Sequence, residues 1–160
     1  PNARVLELGA GTGRNFAFYP HGTTGVASEP SREMLTIAKG RERPAAVSLV
    51  QSRAEELPFE SAVFDAAFAT LVFCSVSSPA KTFAELRRVV RSGGTILLLE
   101  HVRPGGLLGP FFDLINMITM PLFEDHFNRR TADDAKAAGL QIVKVEKSLL
   151  GAINLISCRV

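Results

Sequence analysis

The sequence predicts a doubly wound α/β domain, in which helices cover both faces of a largely parallel sheet. Apolar runs typical of strands buried on both faces alternate with segments of helical spacing. The 160 residues suffice for one domain with a single core and are too few for two. Only LGAI joins the last two strand-like runs, so these two strands should pair antiparallel.

Each of the first four predicted strands is followed by a helix or a turn. The pairs, in chain order, are ARVLELG with RNFAFY, TTGVASE with SREMLTIAK, VSLVQS with a turn at LPFES, and FDAAFATLVF with PAKTFAELRRVVR. The last of these helices is the clearest. We expect it from about Pro79 to Arg91, because its apolar residues recur at helical spacing and Gly93 and Gly94 follow it.

The second half of the chain continues the alternation. A fifth strand is predicted in GTILLLEHV, and a long apolar stretch follows it. Thr131 is then expected to cap the amino terminus of a helix over ADDAKAAG, in whose first turn Asp133 and Asp134 suit the helix dipole. The runs QIVKVEKSL and INLISCRV form the closing strand pair.

Composition restricts the classes of partner and the compartment. Lys and Arg number 18 against 16 Asp and Glu, without a basic block, so no nucleic-acid partner is predicted. Cys74 and Cys158 lie in apolar segments without metal-ligand spacing, and buried free thiols are favoured over a disulfide or metal site. No signal peptide opens the sequence, which suggests the cytoplasm, and its abrupt start in a strand suggests a missing upstream segment.

A glycine-rich loop follows the first strand, in VLELGAGTGRN. Glycine lets a ligand approach the free amides at a helix start without a β-carbon in the way. A nicotinamide dinucleotide fingerprint would need a small residue at position 14, which is Arg14, whereas the third glycine here is Gly13. The loop therefore indicates a nucleotide-like ligand and counts against NAD.

The second strand ends in an acid, Glu29, twenty residues after Gly9. An acid at this place can accept hydrogen bonds from both hydroxyls of a ribose, and it would repel a phosphate on that ribose. Nicotinamide and adenosyl cofactors both carry such a ribose. Glu29 therefore supports an adenosine ligand without choosing between the two classes.

At these residues the chain resembles the class I S-adenosylmethionine-dependent methyltransferases, and the resemblance covers essentially its whole length. The blocks that carry it, in matching order and spacing, are Glu7–Gly13, Glu29-Pro30-Ser31 with Met34-Leu35, Ala54–Phe59, Phe64-Asp65 and Arg88–Gly94. The resemblance implies a Rossmann-like, mostly parallel seven-stranded sheet with an antiparallel last strand. Members of the family usually have an amino-terminal cap over the cofactor, and residues 1–160 are expected to be a single domain without it.

The resemblance also implies which residues bind S-adenosylmethionine. The glycine loop would face the methionine part, Glu29 the ribose, Met34 a face of the adenine, and the backbone after the third strand the adenine edge. Backbone carbonyls of Leu71 or Val72 would hold the amino group. The positions expected to bind the cofactor are Glu7, Gly9, Ala10, Gly11, Gly13, Asn15, Glu29, Pro30, Met34, Arg53, Ala54, Glu55, Leu71 and Val72.

Two of these positions leave alternatives open. Many relatives have an Asp where this chain has Arg53, and because Arg53 cannot accept a hydrogen bond from the adenine amino group, Glu55 or a backbone carbonyl would do so. Asn15 either binds the carboxylate of the cofactor or supports the turn. Which alternative holds depends on contacts between distant residues.

Methyl transfer from a sulfonium requires alignment of the acceptor and little other catalytic apparatus, and no metal. His101, at the carboxyl end of the fifth strand, is the candidate base or substrate anchor, with a local structural hydrogen bond as the equal alternative. Glu100 would orient His101 or act as a structural acid. Tyr19 either lines the substrate mouth or packs in the core.

An apolar insertion, residues 104–127, separates the fifth strand from the Thr131 helix. Glycines, prolines and polar residues interrupt it, which argues against a membrane span. A lid over an apolar substrate pocket, contacted by Phe111 and Phe112, is favoured over a plain core helix, and peripheral contact with a membrane surface is the third interpretation. An apolar lid implies a small apolar acceptor.

The motifs GTGRNFAFYP, TLVFCSV and LLLEHVRP resemble a branch of the family that includes phospholipid, quinone and small-thiol methyltransferases. The sequence thus predicts an S-adenosylmethionine-dependent methyltransferase acting on a lipid, a quinone or a thiol. The alternative is a methyltransferase-like module that binds the cofactor without turnover.

Overall fold

The computed structural model describes residues 3–101, 131–149 and 153–160. The predicted insertion at 104–127, with Phe111 and Phe112 and the lid and membrane contact assigned to it, lies outside the described residues. The described elements, in chain order, are β1 (Arg4–Leu8), a 3₁₀ helix (Arg14–Phe18), β2 (Thr24–Glu29), α1 (Arg32–Lys39), β3 (Val47–Gln51), β4 (Phe64–Thr70), α2 (Pro79–Val89), β5 (Val90–His101), α3 (Thr131–Ala137), β6 (Gln141–Ser148) and β7 (Ile153–Arg159).

The strands form one seven-stranded sheet in the order β3-β2-β1-β4-β5-β7-β6. All neighbouring pairs are parallel except those of β7, which runs antiparallel to β5 and to β6. The predicted α/β class, with a mostly parallel sheet and an antiparallel last strand, is confirmed. The strand order reverses direction between β1 and β4, and a crevice opens beyond the carboxyl ends of the strands at such a point.

Apolar side chains cover both faces of the sheet. On one face, α2 packs against β1, β4 and β5 through a cluster that includes Leu6, Phe64, Phe83, Leu86 and Ile96, all at most 1% exposed. A smaller cluster on the other face consists of Ala10, Phe16, Ala27, Ala38 and Val47. These two clusters hold β1 and β2 between them and so fix the place where the glycine loop starts.

Two predicted boundaries near helices are wrong. Helix α2 ends at Val89 rather than Arg91, because Val90 is already extended and begins β5 opposite Phe64. Gly93 and Gly94 lie within β5, where they exchange backbone hydrogen bonds with the chain end at Val160, and do not cap the helix.

Thr131 is not the predicted amino-terminal cap of α3. It already lies in the helix, as the first residue of α3 that the structure describes, and within the described part of the chain its buried hydroxyl has no hydrogen-bond partner. The expected acids, Asp133 and Asp134, do lie in the first turn.

Two further expectations concern thiols and membranes. Cys74 and Cys158 are buried free cysteines, as predicted. Within residues 3–101, 131–149 and 153–160, no helix combines the length and apolar character that crossing a membrane requires.

Candidate cofactor site

A cavity of about 570 Å³ lies at the carboxyl ends of β1, β2, β3 and β4. Most of the predicted cofactor residues line it, namely Gly9, Gly11, Glu29, Pro30, Met34, Arg53, Ala54, Glu55, Leu71 and Val72. The lining also includes residues that were not among the predicted binding positions, which are Leu8, Ser28, Ser52, Thr70, Ser75, Val76 and Ser77. Several of these end a strand or directly follow one, and that position is the signal by which they could have been found.

A second cavity, of about 520 Å³, lies between α2 and α3. It contains none of the predicted site residues, and its walls are largely alanines. Its two arginines are engaged within the fold: Arg87 donates to the carbonyl of Ala138 at 2.7 Å, and Arg88 donates to Glu85 and to the carbonyls of Leu57 and Phe59. The chemistry expected of a nucleotide site is therefore concentrated in the first cavity.

The glycine loop is bent through left-handed backbone conformations. Gly11 has a φ of +54°, and a β-carbon at this position would meet no atom within 4 Å. Gly9 has a φ of +69°, and a β-carbon there would lie 2.4 Å from a methyl of Val72. The loop is thus closely packed at Gly9 and open at Gly11, where a ligand can approach the backbone.

Glu29 is the acid best placed to recognise a ribose. Its side chain is nearly buried, with 6% of the residue exposed, at the end of β2 on the cavity wall. One carboxylate oxygen accepts from the amide of Gly11 at 2.9 Å, and the other accepts from the amide of Ser31 at 2.9 Å. Because a carboxylate can accept about four hydrogen bonds, Glu29 retains acceptor capacity for a ligand while these amides hold it in place.

The opposite end of the cavity is formed by α1 and by the segment after β3. Met34 lies 44% exposed on α1, whose first turn is capped by Ser31. Glu55 accepts from the amides of Ser77 and Ser78 at 2.7 and 3.2 Å, and Arg53 donates to the hydroxyl of Ser77 at 3.2 Å. These bonds join the segment after β3 to the turn before α2.

The pKa of Glu55 reflects this role. Partial burial would raise the pKa, but hydrogen bonds from backbone amides, together with the nearby charge of Arg53, outweigh it and lower the pKa. The carboxylate is therefore committed to closing the wall of the cavity. That Glu55 also accepts from an adenine amino group stays a prediction.

Behind the glycine loop lies a buried polar network around Glu7, which is 1% exposed. Asn15 donates from Nδ2 to Glu7 at 2.7 Å and to the hydroxyl of Thr70 at 3.3 Å, and the Tyr19 hydroxyl also donates to Glu7. Burial raises the pKa of Glu7, and the hydrogen bonds from Tyr19 and Asn15 oppose that rise. The network ties the loop to the ends of β1 and β4.

This network bears on two of the open alternatives. The side-chain amide of Asn15 supports the turn, and Asn15 is not among the residues that line the cavity. Tyr19 does not line it either: its ring packs edge-on against Phe16 and Phe68, with centroid distances of 5.5 and 5.8 Å. Tyr19 is thus partly buried against the smaller core cluster, and its contact with a substrate stays a prediction. Glu7, Ala10 and Gly13 are likewise not among the residues that line the cavity, and their contact with a cofactor stays a prediction.

The loop after β4 forms the remaining wall. Glu100, with no exposed surface, accepts from the amides of Val72 and Phe73 at 3.0 and 3.2 Å. Of the two predicted roles for Glu100, the structure thus supports that of a structural acid. His101 ends β5 opposite Ile153 of β7, is partly buried, and does not line the cavity.

Comparison with known proteins gives a match to one family model, described as a methyltransferase domain, over residues 6–98. Thiol S-methyltransferase TMT1B of Mus musculus is 33% identical over 153 residues, which cover 91% of this chain and 63% of that protein. Phosphatidylethanolamine N-methyltransferase of Cereibacter sphaeroides is 34% identical over 104 residues, covering 61% of this chain and 50% of that protein. The chain thus spans less than two thirds of the length of either relative.

Solved structures share the architecture. Geranyl diphosphate methyltransferase in complex with SAM has a TM-score of 0.81 at 16% identity, over 98% of this chain and 77% of that one. An S-adenosylmethionine-dependent methyltransferase from Mesorhizobium loti has a TM-score of 0.79 at 17% identity, over 99% of this chain and 91% of that one. At these identities the likeness is one of fold.

Proposed function

The chain belongs to the methyltransferase domain family, and from this premise we propose that it transfers the methyl group of S-adenosylmethionine to a small, apolar acceptor. The observation that carries the proposal is the cavity beside the glycine loop. There Glu29, held by two backbone amides, keeps acceptor capacity for ribose hydroxyls, and the space over Gly11 is open. A nucleoside cofactor fits this donor and acceptor pattern.

Each residue has a distinct task in this proposal. When bound, S-adenosylmethionine supplies an electrophilic methyl group together with its own thioether leaving group. Glu29 would hold the ribose, Met34 would cover a face of the adenine, and carbonyls of the loop at Leu71 and Val72 would orient the amino group. The protein then acts mainly by aligning an acceptor with the methyl carbon.

The acceptor class is inferred from the relatives and from the apolar character of the sequence. Relatives of at least 30% identity are named for action on thiols, phosphatidylethanolamine and quinones. All of these acceptors are small molecules. We infer a thiol, a lipid or a quinone as the acceptor. We also infer that the protein acts in the cytoplasm or peripherally at a membrane.

The test is transfer of a labelled methyl group from S-adenosylmethionine to a panel of acceptors. The panel contains an alkyl thiol, phosphatidylethanolamine vesicles and a demethylated quinone, each with and without the chain. Enzyme-dependent label in at least one acceptor is the expected result. Cofactor binding without transfer to any of them would instead support the alternative of a binding module.

Replacing His101 by Ala should lower kcat by about 100-fold or more while leaving the affinity for S-adenosylhomocysteine within about twofold, if His101 is the base. Cofactor affinity should be retained because His101 lies outside the lining of the cofactor cavity. The kcat should fall because His101 lies at the carboxyl end of β5, where this fold places substrate groups. Steady-state kinetics and calorimetry separate the two effects.

The matched control for this variant is His21→Ala, since His21 is exposed in the turn before β2. That substitution should change neither quantity. A His101→Ala variant with unchanged kcat would remove His101 from the reaction.

A further inference from the structure

A single buried carboxylate, that of Glu100, organises the loop that follows β4. Glu100 lies near the end of β5 with no exposed surface. Its two oxygens accept from successive backbone amides, those of Val72 and Phe73, at 3.0 and 3.2 Å. A buried charge is costly unless it is hydrogen-bonded, and hydrogen bonds from amides to a carboxylate are stronger than those between neutral groups. The loop amides and the carboxylate therefore depend on each other.

The backbone of this loop adopts a conformation that local sequence does not favour. Leu71 has a φ of +56°, in the left-handed region that non-glycine residues rarely adopt. Its amide donates to the carbonyl of Leu99 at 2.8 Å, so that the loop is tied to β5 at two successive places. A strained backbone persists only where its surroundings hold it. Glu100 and Leu99 supply that restraint.

Val72, in the loop after β4, packs directly against the glycine loop. A β-carbon at Gly9 would lie 2.4 Å from Cγ2 of Val72, so the Val72 side chain occupies the space that the glycine leaves. Leu71 and Val72 line the same cavity as Gly9 and Gly11. A displacement of Val72 would therefore alter both walls of the cavity.

We propose that Glu100 is a positioning residue of the cofactor site, which holds Val72 against Gly9 through the amides of Val72 and Phe73 and so sets the width of the cavity. The inference rests on the proposed function, since it presumes that this cavity binds S-adenosylmethionine. Glu100 does not line the cavity. It acts through the loop and is not a catalytic residue.

The ionisation of Glu100 should make both the stability of the fold and the affinity for cofactor depend on pH. Burial raises the pKa of Glu100 to about 7, against the opposing effect of the two amide bonds. Because the folded-state pKa lies above the ordinary value of 4.5, this group favours folding at low pH and that contribution is lost as pH rises through about 7. Ionisation strengthens the bonds to Val72 and Phe73. The affinity for cofactor should therefore rise as the pH increases through about 7. A merely structural carboxylate would give the first effect without the second.

The effect of Glu100 on binding must be distinguished from the effects of neighbouring groups. Asn154 lies opposite it on β7 and does not titrate, and Cys74 is a buried thiol in the same loop. His101 is adjacent in sequence but projects to the other face of the sheet by the alternation of strand residues. His101→Asn is the matched control, because it removes the neighbouring imidazole while Glu100 is retained.

The experiment compares the native chain, Glu100→Gln and His101→Asn by calorimetric titration with S-adenosylhomocysteine between about pH 6 and about pH 8.5. The native chain and His101→Asn should bind at least about tenfold more tightly at the high end of the range. Glu100→Gln should bind about tenfold more weakly than the native chain at high pH and show no such step, because a glutamine presents an NH₂ group to one of the two amides.

Amide hydrogen exchange of the native chain gives a second measurement that needs no variant. Protection at Val72 and Phe73, corrected for intrinsic exchange, should fall as pH is lowered through about 7, while protection within β1 and β2 stays constant. Equal affinity of Glu100→Gln and the native chain at high pH would overturn the role of Glu100, as would pH-independent protection of both amides. Absence of binding by the native chain at every pH would overturn the proposed function itself.

Discussion

Replacing Glu29 by Ala is expected to lower the affinity for S-adenosylhomocysteine by about 100-fold or more. Two hydrogen bonds from ribose hydroxyls to a carboxylate contribute about 1.5–3 kcal/mol each, and the substitution removes both acceptors. It also releases the amides of Gly11 and Ser31, which now donate to the carboxylate at 2.9 Å. The glycine loop would thus lose its restraint as well. Calorimetric titration measures the loss directly.

The matched control is Glu33→Gln, four residues along the chain. Glu33 is exposed on α1 and accepts from the Ser31 hydroxyl at 2.8 Å, so this substitution changes the charge of the same region without touching the cavity lining. Its affinity should stay within about twofold of the native value. Glu29→Ala binding as tightly as Glu33→Gln would contradict the ribose contact assigned to Glu29.

Replacing Gly25 by Ala is expected to destabilise the fold by about 3–5 kcal/mol, among the largest effects of any single substitution. Gly25 lies in β2 with a φ of +146°, and a β-carbon there would lie 1.8 Å from the carbonyl oxygen of Val5. Val5 belongs to β1, which pairs on its other side with β4. The neighbouring backbone is therefore fixed and cannot yield. Denaturant unfolding measures the change.

Gly22→Ala is the control for this prediction. Gly22 also has a positive φ, of +80°, but a β-carbon at this position would meet no atom within 4 Å. The Gly22→Ala variant therefore measures only the cost of placing an alanine at a positive φ, which is about 1 kcal/mol. If Gly25→Ala unfolded at the same denaturant concentration as Gly22→Ala, that result would contradict the close approach of the β1 backbone to Gly25 in β2.

The fold class and Glu29 could be predicted because both depend on local signals. Strands and helices alternate visibly in the sequence, and an acid at the end of the second strand, at a fixed spacing from the glycine loop, falls where the sheet geometry requires it. The antiparallel pairing of β6 and β7 followed from the short connection alone.

The errors arise where distant residues decide the structure. Gly93 and Gly94 resemble a helix cap in sequence, but the chain end at Val160 pairs with them and draws both into β5. Similarly, Thr131 has the chemistry of a cap, yet its hydroxyl is buried without a described partner. Local sequence shows neither the pairing of Val160 with Gly93 and Gly94 nor the burial of the Thr131 hydroxyl.

The same limit applies to the site. Asn15 and Tyr19 are close to the glycine loop in sequence, and only the fold brings their polar atoms onto Glu7. Glu100 was expected either to orient His101 or to be structural, and the deciding contact is with Val72 and Phe73, which lie 28 and 27 residues away. Such partners follow from strand order and register rather than from motifs.

The central claim is that the cavity beside the glycine loop binds an adenosyl cofactor. Calorimetric titration of the chain with S-adenosylhomocysteine, with oxidised nicotinamide adenine dinucleotide in parallel, tests it most directly. A Kd of about 10 μM or tighter for S-adenosylhomocysteine, with no heat from the dinucleotide, is the predicted result. Binding of the dinucleotide in place of S-adenosylhomocysteine, or of neither, would contradict it.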